Sequence, residues 1–467
     1  MPTQSDIEHL LRRTEFVARP GRVAELLQLT LDAAVDNVLA VPADPGAITL
    51  TAPSNWERGE EYTHYWLNRM AHDSPRPIQE RMSLFWHGHF CSDLSKVDGA
   101  ELMQQQIDGF REDGMGNLRA IAKQMSTQVA MIRYLDNNDN RKTSPNQNFG
   151  RELLELFLLG VGNYTEADVE ASTAAWTGHT DNWETDAYVW RADWHDNSNK
   201  SFLGAPINLD KTANGQKAHG YEVIDVVLGA GKVPMAAVDD ANRGRDTRLV
   251  AAEFLSRKLW TFFAGTAIPA AVLTAMRDAA IANDFAIKPW LRTMLLRPEF
   301  YDAGVKQGLV RSPIELVVAL LVASGKRSEE ATPLWLMEGM GQRPLFPPNV
   351  SGWKHNGYYV NASAMAKRTE TAQMFFWRLM DTYWDDSGPN AGVITLPGGT
   401  ITRTQIVATG NDMAKARKLV DDLLVLMRLT AGPESLAALY TFSQSVSRWE
   451  RADVLLLIML MPELHIA

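Results

Sequence analysis

The chain is poor in the residues that mark the simplest functional classes. Of its 467 residues one is cysteine, Cys91, so neither an intrachain disulfide nor a cysteine-based zinc cluster can form. A lone cysteine between Phe90 and Ser92 reads as a small buried residue rather than a thiolate nucleophile. Long apolar runs are missing as well. Residues 454–461 form an apolar stretch of eight, against the ~20 that span a bilayer. No run of lysine and arginine appears, and 46 basic against 56 acidic side chains leave a formal charge of −10. That balance disfavours a phosphate backbone as partner. The opening Met1-Pro2-Thr3-Gln4-Ser5-Asp6 carries neither a basic nor an apolar signal region. The expectation is a cytoplasmic protein, or an exported one whose leader was removed or is supplied by a partner. Phosphate-loop, nucleophile-elbow, His-Glu-x-x-His and dinucleotide fingerprints are all missing, so the corresponding enzyme classes have no motif support.

What is present is ordinary globular composition, with 45% hydrophobic and 22% charged residues. Helical periodicity dominates. The fold class is mostly α: a large helical bundle-like body, in one piece or as two fused lobes, with long irregular loops. Helices are expected at 9–13, 23–39, 62–71, 77–86, 99–112, 116–135, 149–159 and 165–177, the last entered through a Thr165/Asp168 capping box. More follow at 247–263, 268–283, 287–297, 312–324, 363–381, 411–430, 434–446 and 448–461. At most a small hairpin is expected, within 394–406. Two stretches, 178–221 and 341–362, show little periodicity and are rich in aromatics, Gly and polar residues. Loops of that length are commonly functional. The natural division is a main helical domain, 1–330, carrying the 178–221 insertion, with a helical part 331–467 packed on it.

Several segments together resemble one bacterial family. They include His9-Leu10-Leu11-Arg12-Arg13-Thr14, Leu84-Phe85-Trp86-His87-Gly88-His89-Phe90 and Asn148-Phe149-Gly150-Arg151-Glu152-Leu153-Leu154-Glu155-Leu156. Gly162-Asn163-Tyr164-Thr165, Trp176-Thr177-Gly178, Lys200-Ser201-Phe202-Leu203-Gly204, Arg311-Ser312-Pro313-Ile314-Glu315 and Pro347-Pro348-Asn349-Val350-Ser351-Gly352-Trp353 continue the match. In this order they are similar to the family catalogued as domain of unknown function 1800. The resemblance implies no reaction. It does imply a protein often encoded beside a member of the domain of unknown function 1501 family, and often exported.

The chemistry must come from residues. On the 149–159 helix, Arg151, Glu152 and Glu155 share about 100° of arc on an otherwise apolar element. Such a stripe is either an internal Arg151–Glu155 pair supporting the fold or a catalytic acid and base lining a cavity. His87 and His89 converge only if Gly88 ends the helix. They could then hold a divalent metal together with Glu152; buried histidines bonded to backbone are the alternative. The 136–147 loop places Asp136, Asn138 and Asn140 at calcium-loop positions but has Arg141 and Gln147 where Gly and Glu belong, which favours an Asx-rich turn. Trp86, Trp183, Trp194, His195, Asp196, Lys200, Trp353 and Asn361 offer flat apolar faces beside donors and acceptors, as a polyhydroxylated ligand requires. Pinning long loops to the body would explain the same tryptophans.

The leading expectation is therefore an enzyme, a hydrolase of a carbohydrate polymer. Glu152 or Glu155 would act as general acid or base, Arg151 would set the charge, and His87 or His89 would be hydrogen-bond partner or proton carrier. No cofactor is required, although a divalent metal fits the histidines. Two alternatives stand beside it: a non-catalytic binding or assembly protein partnering the 1501 family, and a metal- or haem-dependent oxidoreductase using His87 and His89.

Overall fold

The computed structural model describes residues 1–43, 46–207, 215–306 and 308–467. Helix accounts for 59% of the chain, well above the usual third. Among the described residues the strands pair as antiparallel two-stranded hairpins: β1 (His179–Asn182) with β2 (Ala187–Trp190), β3 (Lys200–Phe202) with β4 (Ala205–Ile207), and β5 (Val393–Leu396) with β6 (Gly399–Thr402). The third is the hairpin anticipated within 394–406. The first two lie in the stretch that reads as irregular, of which 208–214 fall outside the described residues. Among the described residues no helix is long and apolar enough to cross a membrane.

Six helices position the site. Helix α1 (Gln4–Glu15) starts at a Thr3/Asp6 capping box and buries Ile7, Leu10, Leu11 and Thr14, a helical-period face. Helix α2 (Ile78–His89) is buried on every side except at Gly88. Helix α3 (Asn148–Glu152) runs on as a π-turn, Leu153–Leu158. Helix α4 (Thr247–Ala264) stops at Gly265. There φ is +73°, a conformation glycine adopts without cost. Helix α5 (Pro313–Ser324) is apolar apart from Glu315 and its last residue, Ser324, with proline in its first turn and a Ser312/Glu315 capping box. Helix α6 (Ala362–Met380) is capped by Asn361. Helix α1 packs on α2 and α4, and α5 on α6. One connected apolar cluster reaches from Ile7 to Leu464.

Two expected helices are broken. The 23–39 pattern divides into Pro20–Leu26 and Leu31–Leu39, because Thr30 caps a new start by accepting from the Ala33 amide at 3.2 Å. The 116–135 pattern divides at Gln128, whose backbone is extended between Leu118–Thr127 and Val129–Tyr134. The 149–159 helix is α only to Glu152. Beyond it the Leu159 and Gly160 amides both bond to the Leu154 carbonyl, at 2.9 and 3.0 Å, the wider turn that π-geometry imposes.

The interior is unusually dependent on neutral imidazole. His9, His87, His89, His179 and His195 are all buried. Burial lowers His9 to about 2, His87 and His179 to about 3, and His195 to about 4, and holds His89 well below its ordinary value. Below pH 6.5 the unfolded chain takes up protons that these folded rings refuse, so stability is full above pH 6.5 and falls as pH drops towards 4 and below. Each such histidine contributes about 1.4 kcal/mol per pH unit in that window. Urea midpoints measured from pH 7.5 to 4.5 should therefore fall steeply, beginning near 6.5 rather than near the carboxylate range. A midpoint level down to pH 5 would contradict this account of the core.

Candidate functional site

A cavity of about 460 Å³ opens between the end of α2, the outer face of α4, the start of α5 and the 351–359 loop. Gly352 makes this approach possible. A Cβ on Gly352, whose φ is +79°, would stand 2.1 Å from the Gly88 carbonyl, and a Cβ on Gly88 would stand 3.5 Å from the Trp353 ring. The loop therefore lies directly on α2 and delivers Trp353, Lys354 and His355 to the cavity. Leu84, Phe85, Phe254, Phe262 and Trp353 give it apolar walls. His89, Glu315 and Tyr359 are buried in its lining, while Arg257, Lys354 and His355 stand at the exposed rim.

Lys258 reaches into this space from α4. Its Nζ donates to the Leu156 carbonyl at 2.8 Å and to His89 Nδ1 at 3.2 Å. His89 Nε2 in turn donates to the Phe157 carbonyl at 2.9 Å. A carbonyl can only accept, so the His89 proton is on Nε2 and its Nδ1 lone pair faces the lysine. The two accepting carbonyls belong to the last residues of the π-turn, which lack partners within the helix. Lys258 and His89 thus cap that end and gain from its negative dipole. Burial pushes the Lys258 ammonium down to about 8, so a substantial share of it is neutral amine near physiological pH. Two of its three nitrogen positions are taken, which leaves one for the cavity.

Behind the wall, Glu315 is a hub. One oxygen accepts from the Ser312 amide at 2.7 Å, and the other pairs with Arg81. The Arg81 guanidinium is itself enclosed by the rings of Phe16, Phe262 and Phe263, 5.1–5.6 Å away. Arg13, Arg311 and Arg368 are also buried and all feel the Glu315 charge.

The family model described as Protein of unknown function (DUF1800) matches residues 9–466. The chain belongs to this family. No curated protein and no solved structure matches it. Four of the segments that carry the family resemblance meet here: Arg13 from the first, Leu84 to His89 from the second, and the 311–315 and 351–353 residues from the last two.

Of the residues singled out in the sequence for chemistry, His89 and Trp353 line the cavity, as do His355 and Tyr359 of the irregular 341–362 stretch. The others lie elsewhere. Helix α2 continues through Gly88, so His87 and His89 take different partners. His87 Nε2 accepts from the Leu345 amide at 3.2 Å, its ring lying against Trp66 and Trp353. Among the described residues no group of three or more His, Cys, Asp or Glu stands where it could hold a metal ion. The internal Arg151–Glu155 pair does not form. Arg151 makes a two-pronged contact with Glu166 at 2.7 and 2.9 Å, and Glu155 accepts from the Tyr164 hydroxyl at 2.7 Å. Glu152 is half-buried, one oxygen has no hydrogen-bond partner, and burial and the Glu155 charge raise its pKa.

The loop aromatics have partners of their own. Trp86 donates to the Gly114 carbonyl at 2.8 Å, Arg133 lies 3.7 Å over the Trp183 ring, and Arg141 and Arg191 lie 3.7 and 4.7 Å from the centre of the Trp194 ring. His195 donates to the Thr177 carbonyl at 2.8 Å and meets His219 at 3.0 Å. Asp196 accepts from the Ser198 amide and hydroxyl, at 2.8 and 2.6 Å. Lys200 closes its own loop on the Asp196 and Ser198 carbonyls, and Asn361 caps α6. The asparagines of the 136–147 loop turn inward, Asn137 to the His179 carbonyl and Asn140 to the Thr173 carbonyl.

Lys258 and Arg81 went unnoticed in the sequence, and Glu315 entered only within the 311–315 segment that carries the family resemblance. The hub makes a direct prediction. Glu315→Gln keeps the shape but leaves four buried guanidiniums without their carboxylate, and should cost about 3–5 kcal/mol, read as a lowered denaturation midpoint. A loss below about 1 kcal/mol, the range of an exposed pair, would contradict the assignment.

Proposed function

We propose that this protein is an enzyme that uses the Lys258 amine on a small organic anion carrying a carbonyl group, an oxo acid, bound in the cavity. The observation that carries the reading is the lysine itself: part-neutral near pH 8, held by His89 and Leu156, and facing enclosed space. Desolvation of this kind is how an amine becomes a nucleophile or base at physiological pH. The rim suits the anion. Arg257 and Lys354 make no ion pair among the described residues, and the one carboxylate in the lining, Glu315, is already engaged by Arg81. The apolar walls suit a short carbon chain.

In the simplest step the Lys258 lone pair attacks the carbonyl carbon. The carbinolamine then loses water, and the imine so formed can be reduced by added hydride. Incubation with a panel of 2-oxo acids and cyanoborohydride should label Lys258 ahead of the exposed lysines, with a rate that rises through about pH 8. Lys258→Met should abolish that label, and Arg257→Gln should weaken it for oxo acids but not for neutral aldehydes. Labelling spread evenly over surface lysines, with Lys258 spared, would refute the proposal.

A second reading keeps the carbohydrate hydrolase. It is favoured by Glu152, whose buried, unpartnered oxygen and raised pKa are what a general acid needs. Glu152→Gln would then abolish release of sugar from a polysaccharide panel, and Lys258→Met would not.

A further inference from the structure

Of the two arginine clusters built around Glu80 and Glu315 in the interior, only the first is balanced. Around Glu80 the account closes. That carboxylate accepts from Trp66 Nε1 at 2.9 Å, Arg69 Nε at 2.8 Å and Arg111 Nε at 2.8 Å, and Arg111 also pairs with Asp108. Two guanidiniums meet two carboxylates. Around Glu315 it does not close. Arg13, Arg81, Arg311 and Arg368 are each no more than 1% exposed, and Glu315 is the carboxylate that acts on them.

The protein's other acceptors for these four are few: the Val305 carbonyl for Arg13, the Phe16 carbonyl for Arg311 and the Arg311 carbonyl for Arg368. Several guanidinium nitrogens have no acceptor among the described residues: Nε and Nη1 of Arg13, Nε and Nη2 of Arg81, Nε of Arg311, and Nε and Nη1 of Arg368. A guanidinium does not shed its proton to escape burial as a lysine does. An excess of three buried positive charges with free donors is therefore a large uncompensated cost.

We propose that this cluster is an anion site distinct from the cavity, in which a small inorganic anion, halide or oxyanion, accepts from the free guanidinium N–H groups behind Glu315. It stands independently of the chemistry proposed for Lys258. The bound anion completes the charge balance that the Glu80 cluster achieves with protein carboxylates alone. In doing so it ties α1, α2 and α6, which carry Arg13, Arg81 and Arg368, to the segment that leads into α5, which carries Arg311.

The test is the thermal midpoint of the full chain at fixed ionic strength and pH, as potassium gluconate is replaced stepwise by potassium chloride or, in a second series, by potassium phosphate. A site that binds the folded state alone raises the midpoint with the logarithm of anion concentration once past its dissociation constant. The expected result is such a rise, by several degrees, in at least one series, and its loss in Arg368→Met. Lys258→Met should keep the anion response, which separates this site from the cavity. A midpoint indifferent to which anion is present overturns the proposal. So does a rise of equal size in Arg368→Met. If that variant does not fold, the titration of the unaltered protein decides alone.

Discussion

Four guanidiniums gathered on one buried carboxylate set the terms for this fold. Glu315 sits in the first turn of a helix that is otherwise apolar, where its charge also completes the capping box with Ser312. Ordinary protein interiors match buried charges one for one or exclude them. Here α1, α2, α6 and the segment leading into α5 each insert an arginine into the same region. The apolar cluster that connects the chain from end to end supplies the driving force for folding. The charged hub makes the arrangement of those helices specific, because few packings could bury so many cations near one acid.

The cavity follows from that arrangement. Glu315 forms part of its lining, the Phe262 ring lies between it and Arg81, and the 351–359 loop covers α2 where Gly352 allows contact. The π-turn after α3 contributes by what it leaves undone. Its last carbonyls need donors, and Lys258 and His89 supply them. A lysine fixed in this way loses solvent but keeps a vacant nitrogen position. The same contacts that stabilise a helix end therefore prepare an amine for chemistry.

The fold class was legible because long helices advertise themselves by period, and the capping box at Thr165 by residue type. The breaks at Thr30 and Gln128 were not, since apolar period continues across them. Nor were the hairpins before 208, whose strands of three or four residues are too short to show alternation. The π-turn depends on donors far away in sequence and leaves no local mark. At the site, His89 and Trp353 could be singled out by residue type, but their company could not. Arg151 and Glu155 have the spacing of a helical pair, yet Glu166 and Tyr164 take them, because the turn that begins the next helix brings those partners closer. Lys258 follows Arg257 in a stretch that looks like any solvated helix face. Only the tertiary approach of α2 and the π-turn turns it inward.

The central claim is that the excess positive charge around Glu315 is neutralised by a bound anion. Crystals grown with bromide as the main anion, with data collected at the bromine absorption edge, examine it most directly. The account predicts an anomalous peak among Arg13, Arg81, Arg311 and Arg368, in hydrogen-bonding contact with their free N–H groups. A cluster without anomalous signal, its guanidiniums packed dry against protein or bonded only to water, would contradict it.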